Sequence, residues 1–138
     1  MVEVNLVREF AASEDRVWAI LADFGNMSWV PGAGENVEVI GEGVGMTRRI
    51  VMEGLDPIDE VLESLDDAAK TLSYTIEKNA VIPFDQYRAS VAVKAGDGNA
   101  IVHWDCTFDE CDVPADDAKV MIEGSYNMML DGLAQALS

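Results

Sequence analysis

The sequence has few of the residues that usually announce a reaction centre. Its 138 residues include one histidine, His103, and two cysteines, Cys106 and Cys111. A closed zinc site takes four ligands, most often from these two types, and the chain has no second cysteine pair to supply them. No loop has EF-hand spacing, although so acidic a chain leaves a carboxylate-only site for a hard cation open. No metal and no cofactor is expected. The cysteines lie five positions apart in a segment of extended character. At roughly 3.3 Å per residue their Cα atoms stand beyond disulfide reach, so two free thiols in a reducing compartment are expected.

Long apolar runs are absent too. The longest stretch without a charge, Phe24 to Gly34, is interrupted by Gly25, Pro31 and Gly32 and falls far short of the 18 or so residues a membrane span needs. No integral membrane association is expected. The opening MVEVNLVREF has Glu3, Arg8 and Glu9 where a secretory signal keeps an unbroken apolar core, which points to a cytoplasmic protein. Basic residues are scarce: nine Lys and Arg face 26 Asp and Glu, for a formal charge of -17. The largest basic cluster is Arg48-Arg49, too little to neutralise a run of phosphates, so nucleic acid is excluded as a partner. Two readings of the acidic surface stay open, a salt-rich cytoplasm and plain solubility.

What is present is a regular order of periodicities in a chain of single-domain length, residues 1 to 138, nearly half hydrophobic. VEVNLVREF alternates Val2, Val4 and Leu6 with polar residues, as a strand does. Ser13 reads as an N-cap, with Glu14 and Asp15 in the first turn and Val17, Leu21 and Phe24 at helical spacing. Gly25 ends this helix, and a second brief helical turn, Met27 to Val30, stops before Pro31. Six candidate strands follow: Asn36–Ile40, Met46–Glu53, Ile58–Leu65, Thr71–Lys78, Gln86–Ala95 and Ala100–Asp109. Their short connections imply antiparallel neighbours. After Pro114 the period returns to 3.6, with Ile122, Tyr126, Met129, Leu133 and Leu137 on one stripe of a helix of about 22 residues. The fold class is therefore α+β: a curved seven-stranded antiparallel sheet around a long C-terminal helix, with two short helices after the first strand. One helix cannot fill such a sheet, and the expected remainder is a cavity able to bind small molecules.

In this order of elements, SEDRVWAILADFGNMSWVP, GVGMTRR, DEVLESLDDAAKTLSYTIE and VHWDCTF resemble the START-like, helix-grip superfamily, also called SRPBCC. That superfamily includes polyketide cyclase/dehydratase-like proteins, the birch pollen allergen family and plant abscisic acid receptors. The resemblance covers the whole chain and is specific for fold rather than function. It implies a central apolar pocket entered past the loops after the third and fifth strands. It places EGLDP, Glu53 to Pro57, where the hormone receptors carry a gate loop, and Glu60 where they carry a ligand-facing glutamate. The gate motif is not matched and no pocket lysine corresponds, so hormone reception is not carried over.

Glu60 is the most informative single residue. Alternation puts Ile58, Glu60, Leu62 and Ser64 on the concave face of the fourth strand and Asp59, Val61, Glu63 and Leu65 outside; the opposite phase buries two acids instead of one. The carboxyl is then a candidate acceptor for a ligand hydroxyl, a candidate general acid, or a rim charge paired with an arginine such as Arg48. By the superfamily pattern Arg48 points inward and Arg49 outward. Tyr74, Tyr87 and Trp104 occupy apolar phases, as do Ala89, Cys106 and Phe108. With Ile50, Met52, Leu62, Ile122, Tyr126 and Met129 they complete the expected ligand-binding set. Met128 adds a further adaptable side chain. Trp29 either closes the pocket or anchors the short helix. His103 should face out when Trp104 faces in, and no nucleophile pairs with it. The GEGVG glycines precede no helix and do not form a phosphate loop.

The function expected is binding of a small or medium hydrophobic molecule, of lipid, polyketide or aromatic type, by a carrier or sensor. The alternative is a polyketide aromatase/cyclase-type enzyme using the same cavity, with Glu60 and a tyrosine as its acid and base. A protein-interaction module ranks third. Ligand identity and oligomeric state leave no mark on the sequence.

Overall fold

The computed structural model describes residues 1–31, 36–51, 53–77, 83–109 and 113–138. Strand β1 (Val2–Phe10) leads into helix α1 (Glu14–Ala22), six strands follow, and helix α2 (Ala115–Leu137) closes the chain. The six strands are β2 (Val37–Ile40), β3 (Thr47–Ile50), β4 (Ile58–Asp66), β5 (Thr71–Ile76), β6 (Asp85–Ala95) and β7 (Ala100–Asp109). They form one antiparallel sheet in the order β1-β7-β6-β5-β4-β3-β2, a meander to which β1 is added beside β7. This is the helix-grip arrangement. Alternation carries it: in β5 and β7 every second side chain is buried, and these join Val17, Leu21, Ile122, Leu130 and Leu133 of the helices in one core. Among the described residues no helix is long and apolar enough to cross a membrane.

The boundaries depart from the sequence reading in instructive places. Helix α1 has its expected cap, with the Ser13 hydroxyl accepting from the Arg16 amide at 3.2 Å, but it ends at Ala22, before Gly25. Gly25 serves close approach instead: a Cβ there would stand 2.8 Å from Val39 of β2. The second short helix is a correction. Met27 to Val30 make a single turn, closed by the Val30 amide donating to the Met27 carbonyl at 2.9 Å, because Pro31 leaves no room to propagate it. Strand β3 is shorter than Met46–Glu53, and Met52 lies outside the described residues, as does Lys78 at the expected end of β5. Cys106 is a free, buried thiol, and Cys111 lies outside the described residues.

Strand β4 holds the other correction. Leu62 pairs with Tyr74, but the next pair is Ser64 with Ser73, so Glu63 is an extra residue in a β-bulge. The bulge inverts the alternation. Ser64 faces outward and shares a hydroxyl–hydroxyl hydrogen bond of 2.6 Å with Ser73, while Leu65 joins Leu72 on the concave side, packed against the core.

Candidate functional site

The antiparallel register of β3 and β4 sets Arg48 directly opposite Glu60, and Arg49 directly opposite Asp59. Successive side chains in a strand face opposite ways, so one ion pair lies inside the sheet and the other outside. The outer one is half-exposed, with Arg49 Nε 2.7 Å and Nη2 3.0 Å from the two Asp59 oxygens. Its guanidinium holds the Asp59 carboxyl below the usual carboxylate range. The inner pair is buried, Arg48 being 4% and Glu60 7% exposed. Arg48 Nε donates to Glu60 Oε1 at 2.5 Å and Nη1 to the Phe24 carbonyl at 3.1 Å. Its guanidinium lies 3.8 Å from the centre of the Phe24 ring and 5.1 Å from that of Tyr74, which adds cation–π attraction to the ionic contact.

Beyond this pair, between the sheet and α2, lies a cavity of about 350 Å³. The sheet contributes Ile50, Ile58, Glu60, Tyr74, Ile76 and Tyr87, together with Phe84 just before β6. Helix α2 contributes Met121, Ile122, Ser125, Tyr126, Met128 and Met129, and the turn after α1 contributes Met27, Val30 and Pro31. Ile50 and Ile58 bracket the β3–β4 connection; Ile76 and Phe84 bracket the β5–β6 connection. Met121 and Met128 line the cavity while 48% and 47% exposed, so they mark where it meets solvent.

Of the residues expected from the sequence, Ile50, Glu60, Tyr74, Tyr87, Ile122, Tyr126 and Met129 meet at this cavity. Arg48 and Trp104 stand behind its wall, in a nearly filled space shared with Leu21, Phe24, Trp29 and Tyr74. Leu62 faces a separate groove beside Phe24 and Met46. Ala89, Cys106 and Phe108 are buried in the core and do not line the cavity; Phe84 covers Phe108, their rings 4.6 Å apart. Sequence reasoning did not assign Met27, Val30, Pro31, Ile58, Ile76, Phe84, Met121 or Ser125 to the site. Ile58 and Ile76 were legible as concave-face residues, whereas Phe84 and the Met27–Pro31 turn sit in connections, where no periodicity tells which way a side chain points. Trp29 anchors rather than closes: its indole donates to the Asn26 carbonyl at 3.0 Å and its ring packs 6.5 Å from that of Trp104.

The polar groups inside are mostly engaged with one another. Trp104 Nε1 donates to the Tyr74 hydroxyl at 3.2 Å, and the hydroxyls of Tyr87 and Tyr126 are hydrogen-bonded. Burial pushes all three phenols above their ordinary pKa, the Glu60 carboxylate adding to the effect at Tyr74. Burial raises the Cys106 thiol as well. The three phenols are hydrogen-bonding walls of the cavity more than bases at neutral pH. His103 is half-buried on the opposite face of β7 from Trp104. Among the described residues no cluster of three or more His, Cys, Asp or Glu side chains is placed to hold a metal ion.

The geometry has solved relatives. XoxI from Bacillus cereus is 28% identical and superposes with a TM-score of 0.87, covering 99% of this chain and 96% of its own. Ara h 8.0201 (13% identity, TM-score 0.75, 98% and 96% covered) shares the fold. So does the norcoclaurine synthase of Thalictrum flavum, solved with a transition-state analogue (17% identity, TM-score 0.74, 98% and 92% covered). No functionally curated protein matches the chain by sequence. A family model described as polyketide cyclase/dehydrase and lipid transport matches residues 1–138, and the chain belongs to that family.

Proposed function

We propose that the protein binds one small hydrophobic molecule between the sheet and α2, as a carrier or sensor. The observation that carries this reading is the cavity of about 350 Å³, whose walls are chiefly Ile, Met, Val and aromatic side chains with a few polar groups among them. Ligand sites run from about 300 to 1,000 Å³, so the ligand belongs at the small end of that range. Apolar burial drives the association, and the rim methionines adapt to irregular shapes.

The aromatase/cyclase reading draws on Glu60 meeting Tyr74 and Tyr87 at one cavity. Against it, the phenols are pushed away from the range in which a general base works near neutral pH, and Glu60 already accepts from Arg48. Carriage is therefore the favoured reading. An interaction module is disfavoured because its cavity would be collapsed.

Titration with the neutral fluorophore N-phenyl-1-naphthylamine tests the proposal. The expected result is saturable binding of one probe per chain, weakened at least tenfold by Ile122→Trp, whose larger ring occupies the cavity. No binding to the wild type, or undiminished binding to a folded Ile122→Trp variant, would refute it.

A further inference from the structure

The charge distribution at the cavity is one-sided. Among the described residues lining it, the one charged group is the Glu60 carboxylate. Its counter-charge is not in the wall. Arg48 sits behind Tyr74, with Nε spent on Glu60, Nη1 on the Phe24 carbonyl and its face against the Phe24 ring. Tyr74 borders both spaces, its ring centre 5.1 Å from the guanidinium. A molecule entering the cavity thus meets the anionic half of a neutral pair.

We infer that the cavity selects an uncharged ligand carrying a hydroxyl or N–H donor at the end that reaches Glu60, and rejects carboxylates of the same shape. The inference rests on the binding reading above. A carboxylate has several acceptor sites, and Arg48 Nε takes one. A neutral donor makes a charge-assisted hydrogen bond there, stronger than one between neutral groups. An anionic ligand would set two like charges together in a poorly screened interior. A cationic one would lose its hydration for a partner already shared with Arg48. A ligand with acceptors alone would leave Glu60 facing an unmatched oxygen.

Three probes of one skeleton separate these cases: 2-naphthol, 2-methoxynaphthalene and 2-naphthoate, titrated calorimetrically near neutral pH. About 1 M salt, where the screening length is about 3 Å, removes the long-range field of the acidic surface. The wild type is expected to bind the naphthol about tenfold or more tighter than the ether and the naphthoate more weakly than either. Glu60→Gln leaves Arg48 as the uncompensated charge, and the naphthoate should then overtake the ether. The double variant Arg48→Met/Glu60→Gln, which buries no net charge, should bind all three within about threefold. N-phenyl-1-naphthylamine binding reports whether each variant keeps its cavity. Equal affinities in the wild type, or naphthoate as its tightest ligand, would overturn the inference and leave the binding reading standing. Failure of all three naphthalenes and of N-phenyl-1-naphthylamine would overturn both.

Discussion

Glu60 is tolerated among Ile58 and Leu62 because Arg48 stands directly across the strand pair and meets it at 2.5 Å. Removing one member of a buried ion pair costs about 3–5 kcal/mol, whereas replacing both by apolar groups of similar size is often close to neutral. Arg48→Met is therefore expected to lower the unfolding free energy by about 3 kcal/mol, the low end because Glu60 borders the cavity. Arg48→Met/Glu60→Leu should recover most of that loss. Urea unfolding of the two variants checks it, and an unperturbed single variant would mean the pair is hydrated. The tyrosines give a second residue-scale prediction. All three in the chain, Tyr74, Tyr87 and Tyr126, are buried with raised pKa values. Their neutral form is favoured in the folded state, so this stability is complete below about pH 10, where unfolded phenols begin to ionise, and falls as pH rises beyond it. Absorbance at 295 nm and circular dichroism should change together in one alkaline transition. A phenol that titrates near pH 10 while the dichroism stays native would contradict this. The inward phase of Glu60, Tyr74 and Tyr87 was legible in the alternation alone, and that of Tyr126 in the helical stripe. The position of Arg48 behind Tyr74 was not, because period two gives a face and no depth.

At the scale of elements, α2 carries two glycines with opposite roles. A Cβ on Gly132 would lie 2.3 Å from the Trp29 carbonyl oxygen and 2.6 Å from Pro31 Cδ. The missing side chain is thus what seats the Met27–Pro31 turn, part of the cavity wall, against the helix. Gly124 is exposed and its Cβ would meet nothing within 4 Å. Gly124→Ala should gain about 0.5–1 kcal/mol from helix propensity alone. Gly132→Ala gains the same propensity yet should come out destabilised by about 1–3 kcal/mol, as overpacked sites do. Thermal unfolding of the pair decides the matter, and a stabilised Gly132→Ala would show that the turn is not held there. The strands and α2 were readable in the sequence because amphipathic periods of 2 and 3.6 persist over nine residues or more in β1, β7 and α2. That the turn at Met27 goes no further than a turn, and that β4 carries a bulge at Glu63, were not. A four-residue helical pattern lacks the length to propagate, and an inserted residue inverts the alternation without any change in composition.

The whole molecule is a sheet too strongly curved for one helix to fill. An aromatic cluster packs part of the interior, with Trp104 5.4 Å from Tyr126 and 6.5 Å from Trp29, and the cavity occupies the space beside it. That a cavity should exist followed from counting seven strands against one long helix; its volume depends on where Phe84 and the Met27–Pro31 turn come to rest. The central claim is that this space holds a ligand. Native mass spectrometry of gently purified protein, followed by extraction of whatever the chain releases, tests it most directly. The account predicts one hydrophobic molecule per chain, absent from the Ile122→Trp variant. A wild-type chain that is bare as purified, and stays bare after incubation with N-phenyl-1-naphthylamine, would contradict it.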